Sequence, residues 1–182
     1  MYAIRPVTPE NFDDLARLFE ARGGPDWCWC MAWRAKPASV TRAKGAEGKR
    51  LRKAQMQARV AAGQPVGLLA YADEAPVGWV ATGPLTGFVR LGGPGDVDPA
   101  TTWAISCFFV ARPHRGAGLA RALTAAALDS ARAAGARLFQ DTAVDADSPS
   151  YRFMGTVGLF ESFGFEAVAM AGHRRHVMRL SL

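Results

Sequence analysis

Apolar positions recur along the chain in two rhythms, and their alternation lays out the elements. Tyr2 to Val7 predicts a short first strand. Thr8 offers an N-cap hydroxyl, Pro9 suits a first helical position, and Glu10, Asp13 and Asp14 stand at the positive end of the helix dipole. Phe12, Leu15, Leu18 and Phe19 follow at helical spacing until Gly23-Gly24 stops the run. An aromatic and sulfur-rich stretch, Trp27-Cys28-Trp29-Cys30-Met31-Ala32-Trp33, comes next. A second helix is predicted from Glu47 to Ala62, with Leu51, Ala54 and Ala58 on one side. Val66–Tyr71 and Val77–Thr82 form an apolar pair around Asp73-Glu74-Ala75-Pro76, which predicts a hairpin with a slightly long turn.

Gly83 to Ala100 is rich in Gly and Pro and predicts a loop. The strongest strand signal is Thr101–Val110, with Trp103, Ile105, Cys107, Phe108, Phe109 and Val110. Past a turn at Arg112-Pro113-His114, the stripe of Leu119, Leu123, Ala126 and Ala127 predicts a helix over Gly118–Ala134, capped by Gly135. Leu138–Val144 predicts another strand and Thr156–Phe163 a short helix ended by Gly164. Glu166–Met170 and His176–Leu180 close a terminal hairpin. The order β-α-α-β-β-β-α-β-α-β-β predicts a mixed α/β sheet with helices on its faces.

A length of 182 residues predicts a single domain over 1–182. About half the residues are hydrophobic (49%), enough for a packed core, yet no run approaches the ~20 apolar residues of a spanning helix. Membrane association is therefore not expected. The first residues lack the apolar region of a signal peptide, and three cysteines make a poor disulfide framework, so a cytoplasmic location is expected. The net charge of +6 is local: Arg34 to Arg59 holds Lys36, Arg42, Lys44, Lys49, Arg50, Arg52 and Lys53 against one acid, Glu47. Such a patch suits an anionic partner or a solvated helix face. A nucleic-acid module would interleave stacking aromatics with that charge. The local aromatics end at Trp33, so nucleic acid ranks last among the partners.

The richest chemistry lies in Val110-Ala111-Arg112-Pro113-His114-Arg115-Gly116-Ala117-Gly118-Leu119-Ala120. A strand runs into a glycine-containing turn that opens a helix, where backbone N–H groups and the helix dipole together suit an anion. Arg112, His114 and Arg115 add positive charge. The stretch is neither a G-x-G-x-x-G dinucleotide fingerprint nor a Walker A loop. Spacing alone leaves an anion site and an ordinary strand–helix turn equally open.

Arg115-Gly116-Ala117-Gly118-Leu119-Ala120 resembles the pyrophosphate-loop motif of the GNAT superfamily of acyl-CoA N-acyltransferases, Arg/Gln-x-x-Gly-x-Gly/Ala. Leu159-Phe160-Glu161-Ser162-Phe163-Gly164-Phe165 resembles that family's late helix with its Gly-Phe ending, and the element order agrees over essentially the whole chain. The Trp-Cys-Trp-Cys run and the strand before Val110 are similar to a little-characterised bacterial branch. The resemblance implies a mostly antiparallel sheet with one parallel, splayed strand pair and helices on both faces. It implies acetyl-CoA as acyl donor, its diphosphate on the amides of Arg115, Gly116, Ala117, Gly118, Leu119 and Ala120. The pantetheine would pair with the backbone of Phe108, Phe109 and Val110. A neutral amine would attack the thioester directly, with proximity and deprotonation as the main catalytic effects.

The acceptor implied is a small-molecule or peptide amine, and a homodimer is admitted. Trp27, Trp29 and Trp33 are candidate walls of the acceptor pocket. Many family members carry a Tyr four residues before the Gly of the late Gly-Phe pair; here that position is Phe160, which has no proton to give. Tyr151 and Ser162 are candidate replacements, and Asp141 or Asp145 a candidate base. Without the Tyr, a catalytically weak CoA-binding sensor is the alternative reading. Cys28, Cys30 and Cys107 lack the spacing of a zinc site even with His173 or His176, so no metal is expected. Packing is preferred to an acyl-carrier role for Cys107.

Overall fold

Phe12, Leu15, Leu18 and Phe19 are buried along one side of α1 (Phe12–Glu20), as their spacing predicts. Ahead of it, a 3-10 turn at Pro9–Asn11 is fastened by the Thr8 N–H, which donates to Asn11 Oδ1 at 2.8 Å. The computed structural model describes residues 2–34, 40, 42–89 and 91–182; Lys36 of the basic segment lies outside them. The further elements are β1 (Ala3–Pro6), α2 (Gly45–Ala61), β2 (Leu68–Ala72), β3 (Ala75–Pro84), β4 (Thr102–Val110), α3 (Leu119–Ala133), β5 (Leu138–Ala143), α4 (Val157–Glu161), β6 (Glu166–Ala171) and β7 (Arg175–Ser181). None of the described helices is long and apolar enough to cross a membrane.

The strands form one seven-stranded sheet in the order β1-β2-β3-β4-β5-β7-β6, antiparallel except for β4 and β5. Alternation sends Leu69, Tyr71, Trp79 and Ala81 to a core shared with α1 and α2. Leu68, Ala70, Val80 and Phe139 go to the opposite core, under α3 and α4. On α2 the buried side is Met56 and Val60, whereas Ala54 and Ala58 are exposed. Only the longer side chains, one turn apart, fill the space above the sheet.

Two irregularities depart from the sequence pattern. Ala72 pairs with Ala75, so the β2–β3 turn is just Asp73-Glu74, both at positive φ (47° and 65°). That is the twist two-residue hairpins favour, built here without the usual glycine. The second is in β4. Ala81 pairs with Cys107 but Thr82 pairs with Ile105, leaving Ser106 as an extra residue. A bulge bends its strand and raises the local twist. The parallel pairing of β4 with β5 is confined to Thr102–Leu138 and Trp103–Phe139. Beyond it β5 follows β7, while β4 stays with β3 through Val110, so the two strands part.

Candidate active site

The bulge also sets which side chains face which side. Past Ser106, Cys107 and Phe109 turn to the α1–α2 face, and Phe108 and Val110 to the α3–α4 face. A cavity lies on each side of this strand end. The first, about 440 Å³, is bounded by Phe108, Val110, the Arg115–Arg121 turn, Arg152, Gly155, Thr156 and Leu159. The second, about 230 Å³, is walled by Gly23–Pro25, Trp27, Cys28, Cys30, Ala32 and Trp33 from the segment after α1, and by Cys107, Phe108, Phe109 and Phe153. Phe108 borders both, and the consecutive residues Arg152 and Phe153 border one each. Phe108 and the 3-10 turn Arg152–Met154 therefore form a thin wall between two compartments.

The first compartment is an anion cradle. Gly116 and Gly118 both have φ of +75°, and a Cβ on either would meet no atom of the described residues within 4 Å. Backbone conformation rather than crowding calls for glycine there. The turn leaves the N–H groups of Gly116, Ala117, Gly118, Leu119 and Ala120 without an acceptor among the described residues. These are the orphan donors of a helix start, at the positive end of α3. Arg115, Arg121 and Arg152 stand around the same cavity. Arg115 Nε donates to Val110 O at 2.9 Å, folding its guanidinium back over the strand end. A diphosphate fits this donor set: free amides, a helix N-terminus and three guanidinium groups.

The tryptophan run divides. Trp27 is 63% exposed and, with Trp33, lines the second cavity. Trp29 is 1% exposed and does not line it; its ring packs against Phe12 and Phe19 at centroid distances of 6.2 and 5.1 Å. The three thiols lie together beside this cavity. The Cys30 N–H donates to Cys28 Sγ at 3.4 Å and Trp79 Nε1 donates to Cys30 Sγ at 3.2 Å. The neighbouring thiol of Cys30, then burial, holds the Cys28 thiol in its protonated form. Among the described residues, no cluster of three His, Cys, Asp or Glu is placed to hold a metal.

The acid and base candidates are dispersed. Tyr151 is 38% exposed, with its ring 6.2 Å from Phe153 and 6.4 Å from Trp33, beside the second cavity. Ser162 sits past α4; its hydroxyl donates to Leu159 O and accepts from Arg121 Nη1, both at 2.6 Å. Asp145 pairs with His176 at 3.2 Å. Phe160 is fully buried, with its ring 6.4 Å from Phe108 and 5.2 Å from Phe165. Asp141 is buried on β5 and lines neither cavity. Its Oδ1 accepts the Thr142 N–H at 2.7 Å, the Ile105 N–H also reaches the carboxyl, and Oδ2 has no partner among the described residues. The side chain thus supplies an acceptor to β4 where strand pairing stops.

Burial pushes the Asp141 carboxyl well above the usual carboxylate range, against the pull of the two N–H donors. The folded form therefore holds a proton that the unfolded chain releases from about pH 4 upward. The stabilising contribution is complete below the unfolded pKa and is lost as pH rises toward the folded one. Asp141→Asn, which keeps the shape without the titration, should gain relative to the parent by up to about 1.4 kcal/mol per pH unit in that window. Urea unfolding of both proteins from pH 4 to 8 checks this; a constant difference would show an ionised Asp141.

A family model for the acetyltransferase (GNAT) family matches residues 29–165. No curated protein matches the sequence at a significant level. Solved structures of similar fold include the PaiA N-acetyltransferase of Thermoplasma acidophilum in complex with coenzyme A, 11% identical with a TM-score of 0.59, covering 100% of this chain and 99% of that one. The YncA protein of Salmonella typhimurium, solved with acetyl-CoA, is 19% identical with a TM-score of 0.57, covering 100% and 94%. The ribosomal-protein-alanine N-acetyltransferase of Brucella melitensis is 18% identical with a TM-score of 0.58, covering 99% of each chain. At such identities the likeness concerns the fold.

Proposed function

Because this chain belongs to the GNAT family of acetyltransferases, we propose that residues 1–182 form one N-acetyltransferase domain that acetylates the primary amine of a small-molecule or peptide acceptor. Acetyl-CoA is the acyl donor; it supplies an activated thioester and a thiol leaving group. The observation that carries this reading is the set of unpartnered amides at 116–120, placed where β4 parts from β5 and separated by one side chain from a second cavity.

Each part of the site then has a task. The amides of Gly116–Ala120, with Arg115, Arg121 and Arg152, hold the diphosphate. The parted edge of Phe108, Phe109 and Val110 aligns the donor, and a backbone N–H of that edge steadies the oxyanion as it develops. Trp27 and Trp33 line the acceptor's compartment. Both cavities border Phe108, so a thioester reaching past its edge from the first meets an amine held in the second, and proximity is the largest catalytic effect. Tyr151, beside the acceptor cavity, is the proton carrier in this scheme. Ser162 already donates its proton to Leu159 O, and Asp141 stays closed inside the sheet. A thiol of pKa about 8.5 leaves readily enough that the missing late tyrosine need not stop the reaction.

A cytoplasmic location goes with this reading, since all three cysteines are free thiols, as in a reducing compartment. Nucleic acid is not a partner in this scheme. Several of the basic side chains on and near α2 are engaged within the protein: Lys49 with Asp26, Lys53 with Glu20, and Arg52 with the carbonyls of Trp27 and Ala43. Arg34 is buried, its pKa pushed down to about 10 by desolvation.

Phe160 favours one other reading, a sensor that binds acetyl-CoA without turnover. Incubation with acetyl-CoA and a panel of amines separates the two. Transfer releases CoA thiol and yields an amine heavier by one acetyl group in equal amount. Tight binding with neither product across the panel would replace the enzyme by the sensor.

A further inference from the structure

The second cavity differs in chemistry from the first, and that difference narrows the acceptor. We propose that the acceptor is a small monoamine carried on an aromatic or apolar body, and that polycations are rejected; the proposal rests on the acetyl-transfer reading above. Trp27, Trp33, Phe108, Phe109 and Phe153 line it together with the three thiols, and among the described residues no Asp, Glu, Lys or Arg does. A cavity of about 150 Å³ holds one benzene ring. At about 230 Å³ this one has room for a ring and a short amine-bearing chain.

Charges beside the cavity reinforce the selection. The carboxylates nearest in sequence to its wall are engaged, Asp26 with Lys49 at 2.5 Å and Glu20 with Lys53 at 2.6 Å. The Arg175 guanidinium lies 4.9 Å from the Trp33 ring and 5.3 Å from the Tyr151 ring, and it donates to Leu91 O. Those aromatic faces already hold a cation, so they cannot serve as a cation–π cage for a second one. A polyamine or a basic peptide would bring extra ammonium groups with no carboxylate to meet them. A monoamine meets the same wall only through its reacting nitrogen, and apolar surroundings shift that nitrogen toward the neutral form. Neutral amine is the nucleophile, so the wall does part of what a general base would do.

The test compares 2-phenylethylamine and tryptamine with spermidine and Nα-acetyl-lysine. Acetylation is followed by CoA release, and binding by calorimetry in the presence of CoA. The aryl amines should exceed spermidine in kcat/KM by about a hundredfold. Trp27→Ala and Phe153→Ala, both at exposed positions, should raise KM for 2-phenylethylamine about five- to tenfold. The constant for acetyl-CoA and the melting temperature should stay unchanged. Phe153→Asp should shift preference toward spermidine. Equal or better use of spermidine by the parent overturns the proposal. If no amine is acetylated, the transfer reading fails while calorimetry still decides this one. Binding of 2-phenylethylamine that weakens in Phe153→Ala supports it; absence of binding, or tighter binding of spermidine, overturns it.

Discussion

Gly118→Asp should lower acetyl-CoA affinity by at least a hundredfold while the protein stays folded. The position has φ of +75° and ψ of 7°, and a Cβ there meets no atom of the described residues within 4 Å. Aspartate is among the few residues that tolerate the left-handed region, so the backbone cost is on the order of 1 kcal/mol. Its carboxylate would sit at the N-terminus of α3, among the free amides of 116–120. It would accept from them as an N-cap does, which offsets part of that cost. The same arrangement excludes a diphosphate twice over, by occupying its donors and by placing like charge against it. Losing one or two charge-assisted hydrogen bonds of about 1.5–3 kcal/mol each accounts for a hundredfold or more. Calorimetry beside a thermal melt reads both halves of the expectation, and unchanged affinity would remove the turn from the site.

The second large effect belongs to the tryptophan run, and it is an effect on stability. Trp29→Ala should cost about 3–5 kcal/mol. The ring is 1% exposed, packs on Phe12 and Phe19, and has Lys53 Nζ 5.4 Å above it. For a chain of this size the melting temperature should fall on the order of 10 °C. Trp27→Ala, at 63% exposure, should leave the melt nearly unchanged and act on the acceptor KM instead. If Trp29→Ala raised the acceptor KM in a fully stable protein, Trp29 would belong to the pocket and not to the core.

Those two tryptophans show where sequence reading reached its limit. Spacing groups Trp27, Trp29 and Trp33, because nothing in the letters marks the backbone at Trp29 and Cys30 as left-handed. Their φ values of 48° and 51° turn the chain so that one ring goes inside and its neighbours stay at the cavity. Sequence proposes glycine, asparagine or aspartate for such positions, and neither residue is one of these. The β4 bulge is hidden for a similar reason. Ser106 sits inside an unbroken strand pattern, and only the pairing of Ala81 and Thr82 with Cys107 and Ile105 reveals the extra residue. The hairpin turn at Asp73-Glu74 came out shorter than its sequence suggests, since Asp73 suits positive φ but Glu74 does not signal it.

By contrast, the strand–turn–helix at Val110–Leu119 was legible to within a residue. Its glycines, its apolar stripe and its following Gly135 each report a local requirement that no distant contact alters. The sheet order was readable only through resemblance, because periodicity carries no information on which strands are neighbours. The wall between the cavities is a tertiary product of β4 and the Arg152–Met154 turn, more than 40 residues apart in the chain, and no local pattern announces it.

Backbone amide NMR during titration with acetyl-CoA tests the central claim most directly, because it reports each donor separately. The N–H signals of Gly116 to Ala120 should shift strongly and exchange more slowly with solvent, those of Phe108 to Val110 should shift, and those of α2 should remain in place. Shifts concentrated on the basic helix Gly45–Ala61, with the 116–120 signals unmoved, would contradict it.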